Sequence, residues 1–431
     1  MSPIPAFPSC FRMSRRRALA AVVATVTAVS LAPVAPGAAP EPAPRIVAIG
    51  DIHGDAGRFK AILERTRLID TEGRWTGGGT VFVQTGDFLD RGPDVRPVVD
   101  LLMALEDQAR AAGGRAVILL GNHEAMNAMA DLRYVAPAAL ASFADARSEQ
   151  RRESAWKAHA RLAERRRKAL ERASAAIPVP AAYQASSREA WMQAHPPGYL
   201  EYVEAFGPDG RYGRWIRQRP VLTMVGETVF VHGGLDPEIR WRTLEHASER
   251  ARTELTYFDR LRTLMVREGI ILPFFTFAEV IEAGRAELAR VAAEAPDNPE
   301  ATAAHPFNEV GRIGSWSIIA ANGPLWFRGF ATWTDEEGGP FVDRLQQQYG
   351  AVRFVVGHTQ TDDRRITARF DDRVFLIDTA LSSHYEDGRA SALEIEGERY
   401  VEVTLDERRV LVGADAPAVS GVGRQPATTS R

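Results

Sequence analysis

Short apolar runs alternate with helical patterns along the first third of the chain. The apolar runs cover residues 45–50, 80–84 and 116–120. Each is short and followed by glycine within two residues, which is typical of a buried strand. The segments between them space their apolar residues as helices do, over about 58–67 and 95–112, and a third helix is predicted from Glu124. Strands that alternate with helices predict βαβ units and a largely parallel sheet, so we expect an α/β fold.

The middle of the chain departs from this alternation. Residues 136–219 are rich in Ala, Arg and Glu, and both this segment and residues 241–303 have helical patterns. Between them, two short apolar runs at 221–225 and 228–231 flank a turn at Gly226. This spacing predicts a β-hairpin between two helical segments.

The final third of the chain is rich in predicted strands. Its apolar runs lie at 354–356, 374–377, 392–395, 400–405 and 410–412. Residues 413–431 are small and polar, which predicts a disordered tail. The expected domain therefore covers residues 45–412 and carries the two helical segments as insertions.

The first 44 residues have the pattern of an export leader followed by a linker. Three arginines, Arg15 to Arg17, precede a mildly apolar stretch at 18–31, and a Pro/Ala-rich stretch follows to residue 44. An arginine pair before a weakly hydrophobic core is typical of a twin-arginine leader; an ordinary secretory leader and a single membrane anchor are the alternatives. Because the stretch is short and alanine-rich for a membrane span, we expect an exported protein, periplasmic or secreted, without stable membrane insertion after leader removal.

Polar residues bracketed by glycine follow the predicted strands. They are Asp51 and His53 after the first strand, Asp87, Asp90 and Arg91 after the second, Asn122 and His123 after the third, and His232 and His358 after two later strands. Because ligands bind at the carboxyl ends of the strands in α/β sheets, we expect these side chains to lie close together. Carboxylates, imidazoles and an amide suit divalent ions such as Mn, Fe or Zn.

This residue set predicts phosphoester hydrolysis. Two adjacent divalent ions can share a carboxylate, lower the pKa of a bridging water, and hold the attacking and leaving oxygens. Phosphoryl transfer also needs positive groups on the phosphate oxygens. Arg91, directly after Asp90, is one candidate for that role, and Arg328 is another.

Cysteine content and charge exclude several classes of function. The only cysteine, Cys10, lies in the predicted leader, so the mature protein would have no phosphocysteine chemistry, and metal-activated water is the main alternative. The formal net charge of -3 gives no general basic field, so no nucleic-acid partner is expected.

The order of the motifs resembles a known family. Gly-Asp-x-His-Gly at 50–54, Gly-Asp-x-x-Asp-Arg-Gly at 86–92, Gly-Asn-His-Glu at 121–124 and His-Gly-Gly at 232–234 resemble the signature of phosphoprotein-phosphatase-type metallophosphoesterases. The runs at 90–95, 126–127, 131–135 and 357–359 are most similar to the Shewanella-like branch. The resemblance implies a calcineurin-like αββα sandwich, with the helical insertions over the active site.

The resemblance also implies a role for each motif residue. Asp51, His53 and Asp87 would bind the first metal, Asp87 would bridge to a second metal completed by Asn122, His232 and His358, His123 would be the general acid oriented by Asp90, and Arg91 and Arg328 would bind phosphate. For Asp55 a turn role and an indirect role beside the site are alternatives, and no direct role is expected for His384.

The function expected from the sequence is metal-dependent hydrolysis of phosphomonoesters. A metal-bridging hydroxide would attack the phosphorus, and the substrates would be phosphoserine, phosphothreonine or phosphotyrosine in proteins, or small phosphomonoesters. Two alternatives differ in substrate or in class: a dinucleoside polyphosphate hydrolase, and a metal-holding binding protein that has lost catalysis.

Overall fold

A computed structural model of the chain describes residues 44–298, 300 and 303–414. The predicted leader and linker and the predicted tail lie outside the described residues, apart from Pro44, Gly413 and Ala414. Within the described part of the chain, no helix has both the length and the apolar character needed to cross a membrane.

Eleven strands of the described residues form two sheets, and each sheet contains three adjacent parallel strands. The strands are β1 (Ile46–Ile49), β2 (Val81–Gln84), β3 (Arg115–Ile118), β4 (Leu222–Val225), β5 (Thr228–Val231), β6 (Arg353–Val356), β7 (Thr367–Arg369), β8 (Val374–Leu376), β9 (Ser391–Glu396), β10 (Arg399–Thr404) and β11 (Arg408–Val412). The first sheet has the order β11-β10-β9-β1-β2-β3, with β1, β2 and β3 parallel. The second has the order β4-β5-β6-β8-β7, with β5, β6 and β8 parallel. In place of the one largely parallel sheet expected from the sequence, the structure has two mixed sheets. The first is mixed because β9 pairs antiparallel with β1, and the second because β4 and β7 pair antiparallel with β5 and β8.

The two sheets pack face to face, as the alternation of side chains along β1 shows. Ile46 and Ala48 belong to a core cluster that also contains Phe230 and Val355 from the second sheet. Val47 and Ile49 lie on the opposite face of β1, in a cluster with residues of the helices. One face of β1 is therefore buried between the two sheets and the other against helices, which agrees with the αββα layering implied by the sequence resemblance.

The helices of the described residues lie in the chain segments between the strands and cover the outer faces of the sheets. They are α1 (Ala56–Arg65), α2 (Val95–Ala111), α3 (Asn122–Ala128), α4 (Pro137–Ala141), α5 (Ser148–Ala173), α6 (Arg188–Ala194), α7 (Tyr199–Phe206), α8 (Arg211–Ile216), α9 (Leu244–Arg267), α10 (Phe277–Glu294), α11 (Gly329–Thr332) and α12 (Asp335–Tyr349). Helices α4 to α8 lie between β3 and β4, where we predicted the first helical insertion. Helices α9 and α10 lie between β5 and β6, where we predicted the second.

Helix α1 illustrates how local sequence positions the first motif. Oδ1 of Asp55 accepts a hydrogen bond from the backbone N–H of Arg58 (2.9 Å) and caps the helix N-terminus. Phe59, Ile62 and Leu63, spaced three and four residues apart, are fully buried against the first sheet. Burial of each of these side chains contributes about 2 kcal/mol. The loop 50–55 between β1 and α1 is therefore anchored at both ends.

Candidate metal centre

The predicted motif residues follow the carboxyl ends of the parallel strands in both sheets. Several of them have positive φ angles: 48° at His53, 56° at Asp87, 67° at Asp90, 63° at Arg91 and 66° at His358. A positive φ is uncommon outside glycine and costs free energy, so it persists only where the surrounding structure enforces it. Five such residues on three adjacent loops indicate a site whose geometry is imposed by the fold.

Two glycines allow the loops to approach the carboxylates closely. A Cβ atom on Gly121 would overlap the Oδ1 atom and backbone N of Asp87, and one on Gly357 would lie 2.5 Å from Oδ1 of Asp51. Neither position has room for any side chain. The glycines of these motifs are thus required by close packing around two buried aspartates.

Asp87 lies between two groups of potential ligands. Nε2 of His53 and Nε2 of His123 are 4.0 and 3.8 Å from its Oδ2 atom, and the three residues can offer one ligand atom each within 4.8 Å of one another. On the other side, Nε2 of His232 is 3.3 Å from Oδ1, and Asp87, His232 and His358 form a second such group. One carboxylate therefore belongs to both groups, as a bridging ligand requires.

Asp51 and Asn122 complete the two groups. Oδ2 of Asp51 is 3.9 Å from Nε2 of His53, and its Oδ1 accepts a hydrogen bond from the backbone N–H of His358 (3.1 Å). Oδ1 of Asn122 is 2.8 Å from Nε2 of His232. The structure thus brings together all six residues that the sequence resemblance assigned to the metals.

Three histidines of the site each present one ring nitrogen to its centre. Nδ1 of His53 is 3.0 Å from the carbonyl of Leu89, and Nδ1 of His232 is 2.9 Å from the carbonyl of Thr85. A carbonyl only accepts, so each Nδ1 carries the proton and each Nε2 presents a lone pair to the centre. The Nε2 atom of His358 is buried without a hydrogen-bond partner. Imidazole nitrogens that face carboxylates in this way are the donor set that a divalent cation takes.

The charges at the site agree with this interpretation. Burial raises the pKa of Asp51 well above its ordinary value, and the neighbouring carboxylates of Asp378 and Asp87 raise it further. Burial together with His123 lowers the pKa of His53 to about 3, so its imidazole is neutral at physiological pH. Buried carboxylates that repel one another, beside neutral imidazoles, require added positive charge, which divalent ions would supply.

His123 differs from the other histidines because a carboxylate holds its Nδ1. Oδ2 of Asp90 lies 2.6 Å from that atom, and Asp90 is fully buried. Although burial alone would lower the pKa of His123, the charges of Asp87 and Asp90 raise it to about 8. These charges favour the protonated form of His123, which can donate a proton from Nε2, the nitrogen that faces the centre.

Two arginines stand at the rim of the site. The guanidinium of Arg91 lies over the rings of Tyr134 and Tyr385, with 5.3 and 5.7 Å to the ring centroids. Nη1 of Arg328 donates to the carbonyl of His358 (3.1 Å) and to Oγ1 of Thr359 (2.9 Å). Both positive side chains are held by contacts beside the carboxylates, where an anion would be drawn to them.

Three polar residues at the site had no predicted role. Glu124 accepts hydrogen bonds from four backbone N–H groups. The side-chain amide of Asn127 donates a hydrogen bond to Asp90, and the charge of Asp378 raises the pKa of Asp51. Glu124 lies in the Gly-Asn-His-Glu motif and Asp378 follows the end of β8, so both had a signal in the sequence. Asn127 lies in the run 126–127 of the family resemblance, but its contact with Asp90 depends on tertiary structure.

Asp55 and His384, for which the sequence predicted no direct role at the site, lie outside both ligand groups. Asp55 caps α1, and its Oδ2 accepts from the backbone N–H of Ser383 (2.7 Å), which is the turn role. His384 is exposed, and its ring contacts Tyr385. The structure therefore gives neither residue a contact with the centre.

Comparison with known proteins gives a consistent result. The family described as calcineurin-like phosphoesterase matches residues 44–263. An uncharacterised protein of Schizosaccharomyces pombe is 28% identical over 80% of this chain and 75% of its own length. Shewanella-like protein phosphatase 2 of Arabidopsis thaliana is 32% identical, over 48% of this chain and 51% of its own length. The crystal structure of a cold-active protein tyrosine phosphatase of a psychrophilic Shewanella has the same fold, with a TM-score of 0.52 and 22% identity over 86% of this chain and 80% of that one.

Proposed function

The chain belongs to the calcineurin-like phosphoesterase family and is a phosphoesterase hydrolase, and on this basis we propose that it cleaves phosphomonoesters in phosphorylated proteins with the help of two divalent metal ions. One observation carries the proposal: the two oxygens of Asp87 face two different sets of histidines. A carboxylate shared in this way suits a pair of adjacent ions.

The geometry of the two groups supports the ligand assignment that the family resemblance implies. Asp51, His53 and Asp87 would hold one ion, and Asp87, Asn122, His232 and His358 would hold the other. When bound, the two ions would activate water at neutral pH and neutralise charge on the phosphoryl group. His123 also lies near Asp87, but its contact with Asp90 supports a role as an acid, because a protonated imidazole does not bind metal.

His123 and Asp90 would act together in the departure of the alcohol. The Asp90 carboxylate keeps the proton on Nδ1 of His123 and fixes the plane of the ring. Nε2 then presents its proton towards the centre, where it would pass to the oxygen of the leaving group as the P–O bond breaks. The leaving alcohol would depart neutral, and His123 would regain its proton from solvent.

Arg91 and Arg328 would bind the phosphate. Arg91 is oriented by Tyr134 and Tyr385, and Arg328 by Thr359, so little side-chain freedom is lost on binding. A planar guanidinium can donate two parallel hydrogen bonds to phosphate oxygens. This pair would therefore orient the ester and stabilise the charge that develops on the phosphoryl group.

A groove beside Arg328 supports an ester with a sizeable organic group. Its volume is about 520 Å³. Apolar residues, including Met126, Phe277 and Trp326, line it next to Arg328 and Tyr134. A side chain of a phosphoprotein could occupy such a groove while its phosphate reaches the centre. Relatives named as protein phosphatases support the same substrate class.

A substrate panel with defined metals tests this function. The protein is stripped with a chelator, then assayed with Mn, Fe or Zn on peptides containing phosphotyrosine, phosphoserine or phosphothreonine, on p-nitrophenyl phosphate and on a dinucleoside tetraphosphate. We expect metal-dependent release of phosphate from at least one phosphopeptide. Preferential cleavage of the dinucleoside tetraphosphate would replace the proposal with the anhydride-hydrolase alternative. Activity undiminished after complete metal removal would contradict the metal mechanism.

We also propose that the protein is exported. The support is the arginine run Arg15 to Arg17 before the apolar stretch 18–31, both outside the described residues. Fractionation of cells that express the full chain, beside a variant with Arg15, Arg16 and Arg17 changed to Lys, tests this. Phosphatase activity confined to the cytoplasm for both chains would contradict it.

A further inference from the structure

Helix α7 of the first helical insertion reaches the candidate metal centre through Tyr202. The hydroxyl of Tyr202 lies 2.7 Å from Oδ1 of Asn127, and the whole side chain is buried. The rings of Phe143 and Phe206 pack against it, with centroid distances of 5.0 and 4.4 Å. The hydroxyl is therefore held in one position, with Asn127 as its partner.

The direction of each hydrogen bond in this contact is fixed by its neighbours. Nδ2 of Asn127 donates both of its hydrogens, to Oδ1 of Asp90 and to the carbonyl of His123, each at 2.9 Å. The amide oxygen must then face Tyr202, whose hydroxyl is the donor. Burial raises the pKa of Tyr202 well above its ordinary value, and the charges of Asp90 and Glu124 raise it further, so the hydroxyl keeps its proton.

The chain of hydrogen bonds continues from Asn127 to the acid. Asp90 uses Oδ1 for Asn127 and Oδ2 for Nδ1 of His123, so two partners fix the plane of its carboxylate. Without the Tyr202 hydroxyl, the amide oxygen of Asn127 would be buried without a donor, and the amide would lose the contact that fixes its orientation. Asp90 would then be oriented by His123 alone. Within a buried chain of this kind, each hydrogen bond strengthens its neighbours, so the removal of one bond weakens the others.

We propose that Tyr202 is a positioning residue for the acid step: through Asn127 and Asp90 it fixes the imidazole of His123. The inference deepens the proposed function and rests on it, because the orientation of His123 affects rate only if His123 protonates a leaving oxygen. It assigns the first helical insertion a part in the chemistry, in addition to any part in substrate access. Tyr202 itself contacts neither substrate nor metal.

The leaving group of the substrate tests the proposal by kinetics. p-Nitrophenolate is weakly basic and departs with little help from an acid, whereas phenolate needs protonation. We expect Tyr202→Phe to lower kcat for phenyl phosphate by about fivefold, the worth of one hydrogen bond, and kcat for p-nitrophenyl phosphate by less than about twofold. KM should be unchanged for both substrates.

Tyr212→Phe is the matched control. Tyr212 belongs to the same aromatic cluster, and its hydroxyl contacts Asp100 on α2, away from the centre. We expect this variant to keep the wild-type kcat on both substrates. Equal losses on the two substrates in Tyr202→Phe, or no loss at all, would overturn the proposal, since a merely structural defect does not depend on the leaving group.

A spectroscopic measurement separates this proposal from the proposed function. In zinc-loaded protein with ¹⁵N-labelled histidine, the Nδ1 proton of His123 reports its hydrogen bond to Asp90. The resonance should move in Tyr202→Phe and stay in place in Tyr212→Phe. A moved resonance in a protein that hydrolyses no ester would support the link from Tyr202 to His123 and overturn only the function. An unmoved resonance would overturn the link. If Tyr202→Phe does not fold, Asn127→Ser breaks the same chain and must give the same selective loss.

Discussion

Nε2 of His232 lies 3.3 Å from Oδ1 of Asp87, on the side of the carboxylate that faces away from His53. His232 is fully buried, and the carbonyl of Thr85 holds its other nitrogen. The ring therefore has one orientation, in which Nε2 and the oxygens of Asp87 and Asn122 point at a common space. This relationship defines the second of the two proposed metal positions and leads to the first prediction.

Replacement of His232 should remove one metal ion. His232→Ala takes one ligand from the second group and leaves the first group, around His53, intact. We expect metal analysis to give about one ion per chain in place of two, and phosphatase activity to fall at least about 100-fold. His384→Ala, which changes an exposed histidine, should keep both ions. Full metal content in His232→Ala would contradict the ligand assignment.

Replacement of Asp90 should affect the acid without affecting the metals. Asp90→Asn removes the charge that holds the proton on His123, and its amide can present a donor to a nitrogen that needs an acceptor. We expect kcat to fall about 100-fold on a phosphopeptide, within the range of general acid catalysis, with metal content unchanged. Asp107→Asn, at an exposed position on α2, should match the wild type. A loss of metal in Asp90→Asn would instead make Asp90 part of the ligand set.

Glu124 should be essential for the stability of the loop after β2. Its carboxylate accepts from the backbone N–H groups of Asp87, Phe88 and Leu89, and from that of Gly121. In Glu124→Gln the amide nitrogen would face N–H groups and leave about two of them unpaired. We expect the free energy of unfolding of the metal-free protein to fall by about 3 kcal/mol in urea titration.

An exposed glutamate provides the control for that prediction. Glu164→Gln alters one exposed pair with Lys168 and should leave the free energy of unfolding unchanged. If both variants unfold at the same urea concentration, the hydrogen bonds to Glu124 contribute little. Because the measurement is made without metal, it does not depend on the ligand assignment.

His195 should make stability depend on pH. Its ring stacks on Trp191 at 4.0 Å between centroids, and burial lowers its pKa to about 4. In the unfolded chain a histidine binds a proton below about pH 6.5, whereas this one in the folded protein does not until about pH 4. The unfolded state therefore binds more protons in this window, and the free energy of unfolding should fall as the pH falls from 6.5 to 4.

The variant His195→Gln tests this dependence in the metal-free protein. Thermal melting at several pH values should give a shallower fall in Tm below pH 6.5 than in the wild type. His246→Gln, at an exposed position, should keep the wild-type slope. Identical slopes in wild type and His195→Gln would show that His195 titrates alike in both states.

The strand-end motifs could be predicted because their signals are local. A short apolar run followed by glycine and a ligand-type side chain occupies eight or fewer residues, as in 46–51 and 80–87. The parallel pairing of β1 and β2 then brings Asp51 and Asp87 to one edge. No knowledge of distant contacts is needed for that step. The helices expected at 58–67 and 95–112 occur at Ala56–Arg65 and Val95–Ala111 for the same reason.

Other features depend on distant contacts and gave no local signal. Strand β7, Thr367–Arg369, has three residues and a single apolar side chain, so its pattern is too short to predict a strand. The antiparallel pairing of β9 with β1 joins Ile46 to Ile395 and makes the first sheet mixed, although 349 residues separate the two positions. Likewise, nothing in the sequence near Tyr202 indicates that its hydroxyl meets Asn127, because packing of α7 decides it.

Helix α3 has no surface: every residue of Asn122–Ala128 is buried. On an ordinary amphipathic helix, about half of the positions face solvent and tolerate substitution. A deep mutational scan of this protein should therefore give seven consecutive intolerant positions here, without the usual periodicity of three to four residues. Libraries intended to change substrate preference should leave this helix and Arg328 constant and place their diversity at other residues of the groove, such as Phe277 and Ile319.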